Sequence, residues 1–99
     1  MTLNLLLAVN PRIYPGVAIH DTAVLSGGDA PTGTMTFHLY GPNDDTCTGD
    51  PIFASVVTVS GNGTYTSDPF TPTVPGVYRW IARYSGDANN PAIQGACND

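Results

Sequence analysis

Apolar and polar residues alternate strictly along two segments, and this alternation constrains the fold more than any other feature of the sequence. In residues 34–40, one face carries Met35, Phe37 and Leu39, and the opposite face carries Thr36, His38 and Tyr40. In residues 77–84, one face carries Tyr78, Trp80, Ala82 and Tyr84, and the opposite face carries Arg79 and Arg83. Successive side chains of a β-strand point to opposite sides, so such segments have one buried side and one side in water. Both segments are therefore predicted to be strands of antiparallel sheets.

Turn residues divide the rest of the chain into further short strands. The sequence contains 11 Gly and 9 Pro, and no segment shows the apolar period of an amphipathic helix. Ser60-Gly61-Asn62-Gly63 is a typical hairpin turn. The predicted strands span 3–9, 18–25, 35–40, 52–59, 64–67, 77–84 and 92–97. About seven short strands without a helix predict one all-β domain over residues 1–99, either a sandwich or a small barrel.

The charge and hydropathy of the chain exclude two classes of partner. The net charge is −5, there is no lysine, and the cations are three arginines. A phosphate backbone is bound by clusters of Lys and Arg, so nucleic acid is not an expected partner. The longest apolar run, Leu5 to Val9, is too short to cross a bilayer and lacks the features of a signal peptide. No membrane insertion is expected, and any export signal is expected to lie outside this sequence.

Cys47 and Cys97 indicate the redox compartment. Both lie among polar, loop-like residues, in Asp-Thr-Cys-Thr-Gly and Gly-Ala-Cys-Asn-Asp, whereas buried structural thiols usually have apolar neighbours. A disulfide between them would close a loop of roughly 50 residues, worth about 4 kcal/mol in the chain-entropy model. Two reduced thiols are the alternative. A disulfide predicts an oxidising compartment and therefore an extracellular or cell-surface location.

Three segments resemble the immunoglobulin-like repeats of bacterial surface proteins. They are Asp21-Thr22-Ala23-Val24-Leu25-Ser26-Gly27, Pro31-Thr32-Gly33-Thr34-Met35-Thr36-Phe37 and Gly76-Val77-Tyr78-Arg79-Trp80-Ile81-Ala82-Arg83-Tyr84-Ser85-Gly86-Asp87-Ala88-Asn89. The Tyr-Ser-Gly-Asp-x-Asn ending of the third segment is the most specific part. The resemblance covers most of residues 21–89. It implies an immunoglobulin-like antiparallel β-sandwich that is repeated along a secreted or cell-surface protein, acting as a stalk or an adhesin.

The resemblance also implies structural roles for several residues. Gly76-x-Tyr78 resembles the tyrosine corner of immunoglobulin-like sandwiches, in which the tyrosine hydroxyl bonds backbone near the start of a strand. Trp80 stands where antibody-type domains have a cysteine, so the usual inter-sheet disulfide is absent and Trp80 is expected to fill its volume. The Cys47–Cys97 pair would instead tether the connection after the third strand to the last strand. The expected core residues are Trp80, Tyr78, Phe37 and Leu39.

The residues that carry chemistry form no recognisable catalytic motif. There is no Gly-x-Ser-x-Gly elbow, His20 and His38 are expected on solvated strand faces, and the His and Cys residues lack the spacing of a zinc finger. The chain is therefore predicted not to be an enzyme and to need no cofactor.

Calcium is the alternative chemistry, because hard oxygen ligands cluster in two loops. The first loop holds Asn43, Asp44, Asp45 and Asp50, and the second holds Asp87, Asn89 and Asn90. The other interpretation is that these residues build turns by bonding nearby backbone.

Asp21 has the parity of Ile19, Ala23 and Leu25, which are predicted to face the core. Either a bulge rotates Asp21 outward, or its side chain is buried and bonds backbone N–H groups. A structural role is favoured in both cases.

Two functional hypotheses follow from these observations. The first is a structural spacer or stalk, whose partners are neighbouring repeats. The second is an adhesive module that recognises a protein or a glycan through the outward face of the third and sixth strands, with His38, Tyr40, Arg79 and Arg83 as the binding residues. The alternative for this face is an ordinary exposed sheet surface. The chain is expected to be a monomer, or a weak dimer that pairs through an exposed first strand.

Overall fold

A computed structural model of the chain describes residues 4–7 and 16–97. Its strands are β1 (Asn4–Leu7), β2 (Thr22–Ser26), β3 (Thr34–Tyr40), β4 (Phe53–Thr58), β5 (Gly63–Thr66), β6 (Arg79–Tyr84) and β7 (Ile93–Gln94). These described residues contain no helix. The predicted all-β class is confirmed.

The strands form two antiparallel sheets that share one apolar core. The first sheet has the order β1-β2-β5, and the second has the order β4-β3-β6-β7. Ala23 and Leu25 of the first sheet belong to the core. The second sheet contributes the inward residues of β3 and β6 to the same core. The alternation in these two strands therefore predicted the buried layer correctly.

The inward residues of β3 and β6 are almost completely buried. Phe37 and Leu39 are 0% exposed, Trp80 is 1% exposed and Tyr78 is 2% exposed. The rings of Trp80 and Phe53 meet edge to face, with their centroids 6.2 Å apart, a geometry that aromatic pairs prefer. The four residues expected in the core are therefore confirmed as buried.

The tyrosine hydroxyl predicted to bond backbone does so. Tyr78 Oη donates to the carbonyl oxygen of Val74 over 2.5 Å. Gly76, between these two residues, has a φ of +155°. A Cβ atom there would lie 2.6 Å from Cβ of Pro42, so glycine is the residue that this close approach requires. The turn before β6 is thereby fixed against the connection that follows β3.

Four predicted strands are longer than the observed ones: 18–25, 52–59, 77–84 and 92–97. The predicted strand 18–25 starts at Thr22, and Ile19 makes an isolated bridge to Phe70 instead. The predicted strand 92–97 ends at Gln94, because the chain then turns to place Cys97 beside Cys47. In the predicted strand 3–9, β1 occupies Asn4–Leu7, and residues 3, 8 and 9 lie outside the described residues.

The chain enters and leaves the fold at opposite ends. Asn4 pairs with Ser26, at the end where the connections 27–33, 59–62 and 85–92 lie. β7 starts at this end, where Ile93 pairs with Tyr84, and runs towards the connection 41–52 at the other end. The longest dimension of the molecule is 41 Å, against 22 Å and 18 Å for the others. The described termini are therefore separated along the long axis.

Candidate functional site

The outer face of the four-stranded sheet carries the predicted binding residues. The strand register aligns side chains in a row across the whole sheet, consisting of Val56, Thr36, Arg83 and Gln94. The next row contains Ala54, His38 and Ile81, and the row after that contains Tyr40 and Arg79. The predicted binding residues are thus spread over three rows.

Arg83 is the most accessible cation of this face. Its side chain is exposed, and within residues 16–97 it forms no ion pair. It lines two shallow grooves of about 210 Å³ and 320 Å³. The first groove is completed by Thr36 and Ser85, and the second by Ala92, Ile93 and Gln94. The guanidinium can donate hydrogen bonds to a carboxylate or to sugar hydroxyls here.

Arg79 differs from Arg83 because its charge is compensated. Its Nη1 lies 3.3 Å from Oδ1 of Asp45, and 18% of the Arg79 side chain is exposed. Asp45 belongs to the connection 41–52, so this ion pair holds the connection against the sheet. An ion pair with one solvated partner contributes at most about 1 kcal/mol. Arg79 therefore has a structural partner where the sequence suggested a ligand contact.

Tyr40 does not belong to an exposed binding face, contrary to the alternation. It is 9% exposed. Tyr40 pairs with Arg79, whose guanidinium reaches Asp45, so the connection 41–52 folds over this end of the outer face. His38 is half-buried, and its ring meets the Tyr40 ring edge to face at 6.4 Å. Of the four predicted binding residues, Arg83 is the one left fully accessible.

The predicted disulfide is present. Cys47 and Cys97 are joined with a Cα–Cα distance of 5.8 Å, across 50 positions of sequence. Cys97 Sγ also lies 3.6 Å from the carbonyl oxygen of Asp45. The bond therefore attaches the segment after β7 to the connection between β3 and β4.

Asp44 builds the turn that carries Cys47. Its carboxylate accepts hydrogen bonds from the backbone N–H groups of Gly49 at 2.9 Å and Thr48 at 3.3 Å. These backbone donors, with that of Gly49 first, lower the pKa of Asp44 below its ordinary value. Asp45 is paired with Arg79, and Asp50 is exposed. No group of three or more His, Cys, Asp or Glu in the described part of the chain is placed to hold a metal ion.

Asp87, in the motif Tyr-Ser-Gly-Asp-x-Asn, holds two connections together. Its carboxylate accepts from the backbone N–H groups of Thr32 at 2.7 Å, Asn89 at 2.8 Å and Asn90 at 2.9 Å. These donors, with that of Thr32 first, hold the pKa of Asp87 well below its usual range. The Asn90 side chain in turn accepts from Asp29 N–H and donates to Asp29 C=O. The turn-building interpretation therefore accounts for this loop.

Asp21 is a buried acid whose carboxyl oxygens have no hydrogen-bond partner. The residue is 0% exposed. Burial raises the pKa of Asp21 to about 7, and the nearby Thr22 N–H offsets part of this effect without aligning into a hydrogen bond. The backbone of Asp21 is well bonded, because its N–H donates to Ser67 Oγ and its C=O accepts from Ser67 N–H, both at 2.9 Å. Of the two alternatives, outward rotation at a bulge and burial with bonds to backbone N–H groups, the structure shows burial, but without hydrogen bonds to the carboxyl oxygens.

Comparison with known proteins assigns no family to this chain. No protein-family model, no curated protein and no solved structure matches it. Across the described residues there is also no helix long and apolar enough to span a membrane.

Three groove residues were missed at the level of sequence. Thr36, Ser85 and Gln94 surround Arg83, but none of them has a charge or a ring that would single it out. The register of β7 against β6, which pairs Arg83 with Gln94, is the missing information. A strand of two residues leaves too little alternation to fix that register.

Proposed function

We propose that this chain is an extracellular immunoglobulin-like module that acts as a rigid, load-bearing spacer. The observation that carries the proposal is the placement of the described termini at opposite ends of a 41 Å body. The disulfide between Cys47 and Cys97 lies at the end where the chain leaves β7. Modules with this arrangement can be joined end to end, so that tension enters at β1 and leaves behind β7.

The order of the strands supports the immunoglobulin-like assignment. β1, β2 and β5 form one sheet, while β3, β6 and β7 form the centre and one edge of the other. This is the distribution of the corresponding strands in immunoglobulin-like sandwiches. β4 pairs with β3 rather than with the first sheet, which differs from the constant type. The Tyr78 hydroxyl bond before β6 also fits this class.

The disulfide supports both the compartment and the load-bearing role. Disulfides persist mainly in oxidising environments, which include the cell exterior. β7 is only two residues long, so its hydrogen bonds alone would hold the exit of the chain weakly. Tension applied behind Cys97 instead passes through the sulfur atoms to Cys47. Residues 48–96 are thereby removed from the covalent path between the two ends.

A single-molecule pulling experiment tests this proposal. With the disulfide intact, complete unfolding is expected to extend the stretch between Asn4 and Cys97 to roughly 150 Å, because only residues 4–47 can be straightened. The Cys47→Ser/Cys97→Ser variant is expected to reach roughly 330 Å, because the whole stretch is then released. The variant is also expected to unfold at a lower force.

The proposal fails if both forms unfold at forces no higher than a protein without mechanical function, measured in the same instrument. Equal extension of both forms would show that the disulfide does not carry the load. The control is the oxidised protein with Thr46→Ala, which changes the same exposed loop and leaves both cysteines in place.

A second candidate function is the recognition of an acidic ligand, and the grooves beside Arg83 favour it. Arg83 is an exposed cation without an ion pair among residues 16–97, on a chain of net charge −5. The Thr36, Ser85 and Gln94 side chains beside it offer further polar contacts. An Arg at the centre of such a face is a typical anchor for a carboxylate.

Titration with a polyuronate oligosaccharide tests this second candidate. Wild-type protein is expected to bind it in a salt-sensitive manner, Arg83→Ala to lose the binding, and Arg83→Lys to keep part of it. Val74→Ala, a truncation of an exposed residue outside the face, is the control. Equal binding by wild type and Arg83→Ala would remove this face from consideration.

A further inference from the structure

β4 is the longest free edge of the described sheets. The edge strands are β1 and β5 in the first sheet and β4 and β7 in the second. β4 has 6 residues, whereas β1 and β5 have 4 each and β7 has 2. A free edge presents unpaired backbone groups, which form a template for a further strand.

The unpaired groups of β4 belong to Ala54, Val56 and Thr58. Val59 N–H donates to Gly33 C=O at 2.9 Å, so the backbone groups of residue 59 point towards the β3 side. The direction alternates along an antiparallel strand, so residues 57, 55 and 53 also bond β3. The groups of residues 54, 56 and 58 therefore point away from the sheet, and no hydrogen bond to another part of residues 4–7 or 16–97 occupies them.

The edge lacks two of the devices that usually prevent pairing, charged side chains and proline. No charged residue occurs between Asp50 and Asp68, and no proline occurs between Pro51 and Pro69. Val56, at the middle of the edge, is 63% exposed, and Ile52 is 44% exposed. The β4 edge therefore combines free backbone groups with apolar, uncharged side chains.

We propose that β4 pairs with β4 of a second copy of this chain, antiparallel and about a twofold axis at Val56. In this register Val56 lies opposite its own equivalent, and Ala54 lies opposite Thr58 of the second copy. Residues whose backbone groups point outward then form hydrogen-bonded pairs, each exchanging both N–H···O bonds. The outer face brings Val56 against Val56, a favourable β-branched pair.

The side chains favour a second copy over a strand from another protein. Recognition of a different partner is usually selected by complementary charge, and this edge carries none. A twofold antiparallel pair needs no second sequence, because the small Ala54 meets Thr58 on both sides of the axis. The pairing would join two four-stranded sheets into one continuous sheet and place both Arg83 grooves on it.

The proposed contact is expected to be weak and to depend on salt. A single strand pair covers less surface than a standard protein interface of about 1,600 Å². Each copy has a net charge of −5, so the copies repel each other at low ionic strength. Association is therefore expected to strengthen as salt is added, opposite to the behaviour expected for an acidic ligand at Arg83.

Sedimentation equilibrium and amide hydrogen exchange test the proposal together. Wild-type protein is expected to form dimers at concentrations up to about 1 mM, with exchange of the Ala54, Val56 and Thr58 amides slowing as dimers form. Val56→Lys places like charges across the twofold axis and is expected to weaken association by at least about tenfold. Thr64→Lys adds the same charge to the β5 edge and is the matched control, with less than about a twofold effect expected.

Three results would overturn the proposal. One is a wild-type protein that stays monomeric over the whole concentration range. The second is a dimer that Val56→Lys leaves intact, and the third is a dimer whose amide protection falls outside β4. Ala54→Lys is a second variant at the same edge, and thermal unfolding of each variant checks that the fold is retained.

Discussion

Replacing Cys47 and Cys97 together by serine is expected to lower the free energy of unfolding by about 4 kcal/mol. The disulfide spans 50 positions of sequence, so it removes much of the freedom of the unfolded chain. Small domains have a total stability of about 5–15 kcal/mol, so this change takes away a large part of it. β7 is expected to detach first, because its ladder consists of two residue pairs with β6.

Denaturant unfolding monitored by the fluorescence of Trp80, the one tryptophan of the chain, measures this effect. Reduction of the wild-type disulfide is expected to give the same loss as the double substitution. Thr48→Ala changes a neighbouring exposed residue of the same connection and is expected to cost less than about 1 kcal/mol. A loss below that figure for the double variant would show that the fold does not depend on the covalent link.

Raising the pH from 4 to 8 is expected to destabilise the fold through Asp21. Its pKa is about 7 in the folded chain and 3.8 in the reference state, because burial penalises the carboxylate. The folded chain thus binds more protons than the unfolded chain between these values. The stability from Asp21 is fully present below pH 3.8 and is lost as the pH rises through 7. Across this range, Asp21 lowers the free energy of unfolding by on the order of 4 kcal/mol.

Asp21→Asn removes this titration and tests its origin. The variant is expected to unfold at nearly the same temperature at pH 5 and pH 8, whereas the wild type is expected to lose stability over that interval. Asp68→Asn alters an exposed aspartate and is expected to keep the wild-type pH profile. If Asp21→Asn retained the full pH dependence, the effect would belong to another titratable group.

Asp44 and Asp87 act in the opposite direction at lower pH. Their pKa values are held below the ordinary range by backbone N–H donors. The stability that they contribute is present above the ordinary carboxyl pKa and is lost as the pH falls through the lowered value. Greatest stability is therefore expected at about pH 4, between these two effects.

The core and the disulfide could be predicted from the sequence for physical reasons. Phe37, Leu39 and Trp80 lie in segments where apolar and polar residues alternate with a period of two, and this period fixes which side is buried. Cys47 and Cys97 lie in polar loops where a thiol has no packing role. Both signals are local in the chain, so no knowledge of the tertiary structure was needed.

The outer face and the buried Asp21 were harder to predict from the sequence, because their properties depend on residues that are distant in the chain. Tyr40 has the alternation of a solvated residue but is only 9% exposed, beside Arg79, whose guanidinium pairs with Asp45 of the connection 41–52. Asp21 is buried, but its two carboxyl oxygens have no hydrogen-bond partner. No pattern within a single strand shows how a loop from another part of the chain will lie.

The link between Cys47 and Cys97 also has a consequence for proteolysis. A peptide bond broken anywhere between residues 48 and 96 leaves the two ends of the chain joined through the sulfur atoms. The connections 59–62 and 85–92 lie on this stretch, and exposed loop tips are the preferred sites of nicking. A protease can therefore cut the module there once without severing whatever is attached at its two ends.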